Sequence, residues 1–379
     1  MVRRLRPIGC IKRVIASTVI IAFVLVFLFS LAKKNSDPVD FRKIENLEDS
    51  EIKIASHQSS TSKLVNEDIV SFDSAICAGN SYNITDEDLF VLLHIQKTGG
   101  TAFERHLVHD LQVPIPCECN NEHRRCSCPR PVISTSGKKK FKQRMQPKTL
   151  SDLTWLASRF SIGWACGLHP DLTQLRKCLS GLKRQFYLTF LRHPLDRFIS
   201  EFRHVRRGAT WKASKSHCKN YDTQLCYKHH THWTNVSLDE FINCPNNMAI
   251  NRQTKMLASY KNFLCDDSQI ENNILLASAM TNLDQISFFG ICEQQRASQL
   301  LFERTFDLKF KSPFKQSDDN GTRAFIARLP DKVKDRILQI NSMDLKLYNY
   351  AVDLFAYRCN QLTNTDDCGA RIYANSARV

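Results

Sequence analysis

Residues 89 to 103 read LFVLLHIQKTGGTAF, and the order of residues in this stretch decides the fold. The apolar run FVLLHI (90–95) is short and ends at glycines, as a buried strand does, and helical periodicity follows from about Thr101 to Leu111. A strand that passes through Lys97, Thr98, Gly99, Gly100 and Thr101 into a helix can turn backbone amides and a helix N-terminus toward an anion. The same turn could also join two elements without holding a ligand. A Walker loop requires GxxxxGK[ST], with lysine after the glycines; here Lys97 precedes them, so this is not an ordinary P-loop ATPase.

The pattern recurs along the chain. FYLTFL (186–191) leads into a helix from about Leu195 to Arg207, and ISFFGI (286–291) leads into CEQQRASQLLFERTF. Strand followed by helix, repeated, predicts an α/β fold with a mainly parallel central sheet flanked by helices. Near the C-terminus, DKVKDRILQINSMDLKLYNYAVDLFAYR predicts one long helix or two shorter ones against the core. In the second strand-to-helix unit, Arg192 ends the strand, Pro194 suits the first helical position and Ser200 lies two turns on. Arginine offers a planar fork to phosphate, so a second anion site is expected, although Arg192 could equally be a salt-bridged structural residue. Two anion sites at two strand ends suit a ligand phosphorylated in two places.

With 379 residues, 42% of them hydrophobic, the chain can bury a real core, and its net charge of +15 predicts anionic partners. Val14 to Ala32 is uncharged and long enough to cross a bilayer core of roughly 30 Å. Arg3, Arg4, Arg6, Lys12 and Arg13 precede it, which predicts a single-pass type II anchor with residues 1–13 cytoplasmic and the body lumenal. Cleavage as a signal peptide near Ser30 and Ala32 is the alternative, and it sends the body to the same compartment. Polar residues 33–81 read as a stem, 82–358 as one catalytic domain and 359–379 as a tail. Of 15 cysteines, setting aside Cys10 leaves fourteen, an even number suited to disulfides in an oxidising lumen. Glycosylation sequons at Asn83, Asn235 and Asn320 agree with that compartment, and together with the anchor they argue against nucleic acid as the partner. The basic segment GKKKFKQRMQPK (137–148) reads as a solvated loop or as a contact for an acidic polymer.

HIQKTGGT, SRFSIGWACGLH, LRHPLDRFISEFRHVRRGATWKAS, NRQTKML and SPFKQ…NGTRA, in this order and spacing, resemble the heparan sulfate 6-O-sulfotransferases. The resemblance covers about Asn83 to Arg358 and implies a P-loop-NTPase-like sulfotransferase fold in a Golgi membrane enzyme. It implies 3′-phosphoadenylyl sulfate (PAPS) as donor, heparan sulfate as the acidic polysaccharide acceptor, transfer to the glucosamine 6-hydroxyl, and no metal. Matched by motif, His94, Ile95, Gln96, Lys97, Thr98, Gly99, Gly100, Thr101 and Ala102 would cradle the 5′-phosphosulfate, with Lys97 neutralising charge on the leaving phosphate oxygen. Arg192 and Ser200 would hold the 3′-phosphate, while Gln316, Thr322, Arg323 and Ala324 would cover the nucleotide. This last stretch, SPFKQSDDNGTRA, departs from the family in being longer and more acidic. His169 matches the general base, needed because a sugar hydroxyl is a poor nucleophile until its proton is removed. Arg124, Arg125, Arg159, Trp164, His204 and Trp211 match acceptor-contacting positions. At Arg124 and Arg125 the family carries lysines, and arginine keeps the charge but changes the geometry.

CECNNEHRRCSC contains Cys117, Cys119, Cys126 and Cys128, which could bind zinc; C-x-C spacing in a lumenal setting favours disulfides, in a hairpin-like staple presenting Arg124 and Arg125. Two other functions stay open on the residues alone. A lumenal glycan kinase would show an acidic pair for Mg²⁺ beside the loops, and a non-catalytic heparin-binding membrane protein would need neither Lys97 nor His169.

Overall fold

Three of the predicted runs become neighbouring parallel strands in the computed structural model: β1 (Leu89–Leu92), β6 (Gln185–Leu191) and β7 (Phe288–Ile291). The structure describes residues 81–85, 88–120, 125–130, 154–180, 184–208, 233–244, 247–259, 271–316 and 320–362. The membrane-span candidate, nearly all of the stem, the basic segment 137–148, Arg124, Trp211 and residues 363–379 lie outside them. Among the described residues no helix is long and apolar enough to cross a membrane.

A fourth strand, β5 (Leu156–Ala157), pairs parallel with β1, giving the order β5-β1-β6-β7. The chain leaves β1 to one side for β5 and returns on the other for β6. Ligands of open parallel sheets bind where strand order reverses in this way, at the carboxyl ends of the strands. Here those ends carry the two expected anion loops. β1 and β7 are buried along their whole length, which explains their continuously apolar sequence. Gly290 has a packing reason: a Cβ there would overlap the Phe190 ring of the adjacent strand.

Helices cover the sheet. After β1 comes α1 (Gly100–His109), then the small strands β2 (Leu111–Gln112), β3 (Glu118–Asn120) and β4 (Arg125–Ser127). Helices α2 (Arg159–Ile162) and α3 (Leu172–Cys178) separate β5 from β6, and α4 (Pro194–Val205) follows β6. Next come α5 (Leu238–Ile242), α6 (Arg252–Leu257) and α7 (Asn272–Gln285), then β7 and α8 (Gln295–Phe306). Strand β8 (Lys309–Phe310), antiparallel to β2, is followed by α9 (Asn320–Ala327), α10 (Asp331–Ile340) and α11 (Ser342–Leu362). The C-terminal region is therefore two helices, and the second runs past the expected boundary at Arg358.

The sheet core is phenylalanine-rich: Phe90, Phe186 and Phe302 each pack against Phe306, and Phe103 against Phe190 and Phe288. A second apolar cluster joins Phe198, Ile199 and Phe202 of α4 to Phe241 and Ile337. Deep on α4 lies a charged network. Glu201 receives Arg197 Nη1 at 2.5 Å and Arg252 Nη2 at 2.9 Å, while Asp344 lies 3.8 Å from Arg197 Nε. Arg197 also donates to the Ala249 carbonyl. Asp344 Oδ1 accepts from the amide and hydroxyl of Thr254 at 2.8 and 2.9 Å, tying the start of α11 to α6.

Candidate active site

Two threonine hydroxyls hold the backbone of the loop from β1 to α1. Thr189 Oγ1 donates to Leu93 O at 2.9 Å, and Thr98 Oγ1 to Ile95 O at the same distance, so the chain folds back before the helix begins. Lys97 has φ 68° and Gly99 φ 93°, left-handed conformations that glycine adopts freely and lysine rarely does. A Cβ on Gly99 would stand 3.2 Å from Cys292 Sγ, tight contact added to a left-handed φ, whereas one on Gly100 would meet the His94 ring at an ordinary 3.4 Å. Helix α1 starts at Gly99 without a side-chain cap and without an acid in its first turn, leaving that end suited to an anion. Gln96 Oε1 is buried without a hydrogen-bond partner, and His94 Nδ1 faces the Glu104 carboxylate at 3.5 Å. These are the features of a cradle for a phosphate-like group. Ile95 and Thr98 are fully buried, so they can contribute main chain only.

Arg192 meets this loop directly. Its Nη1 donates to Lys97 O at 3.3 Å and its Nη2 lies 3.8 Å from Asp196. Its main chain is clamped by Gln253, which accepts from Arg192 N at 2.9 Å and donates to Arg192 O at 3.0 Å. Next to it, the His193 amide donates to Glu293 Oε1 at 3.0 Å, and Tyr348 OH to Glu293 Oε2 at 3.0 Å. Burial raises the Glu293 pKa, and it raises the Tyr348 phenol in turn, with Glu293 adding to the effect. Ser200 is buried on α4, two turns from Arg192. His204, on the same helix, is pushed below its ordinary pKa by burial and then by Lys97 and Arg207, which places it within electrostatic reach of the loop lysine.

The opposite wall is the segment from α2 to α3. His169 sits there with φ 56°, its ring 5.5 Å from His94 and 5.8 Å from Trp164. The Cys166–Cys178 disulfide and the capping box of α3, in which Asp171 Oδ1 accepts from Gln174 N at 2.8 Å, brace this turn. Burial first, then His94 and the guanidinium groups of Arg252 and Arg159, together lower the His169 pKa to about 3, and Glu201 only partly opposes them. Arg159 reaches back to α1, its Nη2 donating to Thr101 Oγ1 at 3.3 Å, and lies 5.9 Å over the Trp164 ring. Trp164 is exposed, and Arg125 packs beside Gly163 at the end of α2.

Helix α9 brings the late stretch to the same place. Thr322 is buried and accepts from Arg203 Nη1 at 2.8 Å, while Arg323 is close enough to Cys292 to influence its thiol. Gln316, Arg323 and Ala324 are exposed. Asn83 and Asn235 are exposed as well, and Asn320 opens α9.

Strands β3 and β4 form the expected hairpin, with Cys119 opposite Cys126 and disulfides Cys117–Cys128 and Cys119–Cys126. His109 approaches the second pair, but those two sulfurs are spent on each other. Cys244 and Cys359 are bonded too, whereas Cys292 is free, which corrects the even count: thirteen remaining cysteines cannot all pair among themselves. Burial pushes the Cys292 thiol up to about 12, so it stays protonated against the loop.

Several groups that build the site carry no local signal in the sequence. Glu104 is fully buried on α1, yet its partners come from the loop before it and from α2. Arg203, Arg252, Gln253 and Glu293 likewise act across long separations. Only the NRQTKML resemblance pointed toward Arg252 and Gln253.

Residues 80–351 match the family described as "Sulfotransferase family". Heparan-sulfate 6-O-sulfotransferase 2 of Gallus gallus is 40% identical over 312 residues, covering 76% of this chain and 72% of the relative. Heparan-sulfate 6-O-sulfotransferase 1-B of Danio rerio is 41% identical over 298 residues, covering 73% and 68%. Heparan-sulfate 6-O-sulfotransferase 2 of Homo sapiens is 42% identical over 299 residues, covering 73% of this chain and 46% of its own. The match spans the strand-to-helix loop, the Arg192 clamp and the His169 turn alike, and the chain accordingly belongs to the sulfotransferase family.

Proposed function

We propose that this protein transfers a sulfuryl group from PAPS to the 6-hydroxyl of glucosamine residues in heparan sulfate. The observation that carries the reading is the convergence of His169 with the anion loop, its ring 5.5 Å from His94, in a chain similar to heparan-sulfate 6-O-sulfotransferases. PAPS supplies the activated sulfuryl group. The loop from His94 to Ala102, tight at Gly99 and carrying the orphan Gln96 Oε1, fits its 5′ end. Arg192 and Ser200 fit the 3′-phosphate, and Thr322 to Ala324, on α9, close the site beside Gln316. Lys97 offsets charge developing on the leaving oxygen.

His169 receives the acceptor hydroxyl proton as the S–O bond forms, in an in-line displacement that needs orientation and charge stabilisation. With its pKa near 3 the imidazole is neutral and able to accept a proton across the physiological range. Burial is the largest cause of that depression, and an anionic donor and acceptor offset the part due to Arg252 and Arg159, which makes the bound-state imidazole a better base. Arg125, Arg159, Trp164 and His204 contact the acceptor in this reading, and the family resemblance assigns the same role to Arg124 and Trp211, which lie outside the described residues. The carboxylates near the two loops are already engaged: Asp196 by Arg192 and His193, Glu293 by His193 N and Tyr348. That favours sulfuryl transfer over a Mg²⁺-dependent kinase. Residues 1–13, 14–32 and 33–81 serve as cytoplasmic tail, Golgi membrane anchor and stem for a catalytic domain that starts at 82 and includes α11 to Leu362, with a tail after it and glycans at Asn83, Asn235 and Asn320.

Full-length protein incubated with labelled PAPS or labelled ATP and desulfated heparan tests the proposal. Label from PAPS on the glucosamine 6-oxygen is expected, and none with His169→Ala, which retains nucleotide binding. Transfer from ATP, or tight polyanion binding with transfer from neither donor, overturns it.

A further inference from the structure

Glu104 occupies a core position of α1 beside Phe103, Leu107 and Val108, where the fold alone would be served by an apolar side chain. Burying a carboxylate is costly, and an ion pair replaced by well-packed apolar groups is often neutral or stabilising. What Glu104 touches gives the reason for it. Its Oε1 accepts the Phe160 amide of α2 at 2.8 Å, and its Oε2 lies 3.5 Å from both Arg159 Nη2 and His94 Nδ1. Against the desolvation that opposes ionisation, His94, the Phe160 amide and Arg159 keep it charged. One carboxylate thus reaches the first turn of the acceptor-side helix and the first residue of the donor loop.

Resting on the proposed transfer, we infer that Glu104 is a positioning residue that holds Arg159 and the start of α2 against the donor loop, setting where the acceptor lies relative to the donor. Arg159 has only weaker holds besides Glu104: its guanidinium donates to Thr101 Oγ1 at 3.3 Å and lies over Phe160 and Trp164, so Glu104 supplies its one carboxylate partner among these contacts.

Kinetics of Glu104→Gln, Arg159→Ala and the double variant, with PAPS and an N-sulfated heparan octasaccharide, test this, alongside anisotropy titrations with a fluorescent heparin octasaccharide. Glu104→Gln is expected to raise the acceptor KM and the octasaccharide Kd about tenfold, the loss of one charge-assisted contact, with PAPS KM changed less than about twofold. In the Arg159→Ala background the same change should add less than about twofold, because coupled residues are non-additive. Equal effects in both backgrounds, or donor and acceptor KM rising together, overturn the inference. Should Glu104→Gln melt well below the wild type, Glu104→Asp keeps the charge but draws it back, and an acceptor Kd like the wild type's overturns the inference as well. A wild type that binds the octasaccharide but transfers nothing sinks the transfer reading, while the titrations still decide the role of Glu104.

Discussion

Lys97 and His169 both adopt left-handed backbone, a strain usually tolerated where the surroundings over-determine a site. Lys97 was legible because it stands between an apolar run and two glycines. His169 was not: nothing local marks it, and only the WACGLH resemblance picked it out. Glu104 escaped altogether, since its meaning comes from a backbone amide 56 residues away. The low pKa of His169 has a consequence for stability. An unfolded histidine protonates near 6.5, whereas the folded one resists until about 3. Between these values the unfolded state binds the extra proton, so the folded state loses stability as pH falls through that window. His169→Asn, which tolerates left-handed backbone, should flatten this dependence. Melting temperatures followed from pH 7 to 4 should fall more steeply for the wild type than for the variant, and parallel curves would count against the assignment.

At the scale of elements, β1, β6 and β7 were legible because strands buried on both faces must be apolar throughout. The two-residue β5 gave no such signal, and neither did α6, whose six residues are too few to show a helical period; α6 and α7 pack chiefly on each other and then on α11. The hairpin was readable from C-x-C spacing, though its pairing was not. Gly290 shows how one element constrains another: it lets Phe190 lie across β7, and Phe190 in turn packs on Phe103 of α1 and on Phe288. Gly290→Ala should force this stack apart and cost about 1–3 kcal/mol, as overpacked cores do. Urea unfolding measures it. A midpoint equal to the wild type's would mean that the ring moves aside at no cost.

For the whole molecule, the decisive assembly is the one no segment announces, the seam of Arg197, Glu201, Arg252 and Asp344. It joins α4, which follows Arg192 and carries Ser200, to α6 and α11, and α6 supplies the Gln253 clamp on Arg192. Two buried arginines share Glu201, so removing its charge leaves them with Asp344 as the remaining carboxylate of the seam. Breaking such a buried pair typically costs about 3–5 kcal/mol, because a desolvated charge is left uncompensated. Glu201→Gln should therefore lower the unfolding free energy by about that much in urea titrations. It should also weaken binding of adenosine 3′,5′-bisphosphate, since the helix bearing Ser200 loses its anchor while the anion loop itself is untouched. Stability lost without loss of nucleotide affinity would show that the seam supports the fold but does not position the clamp.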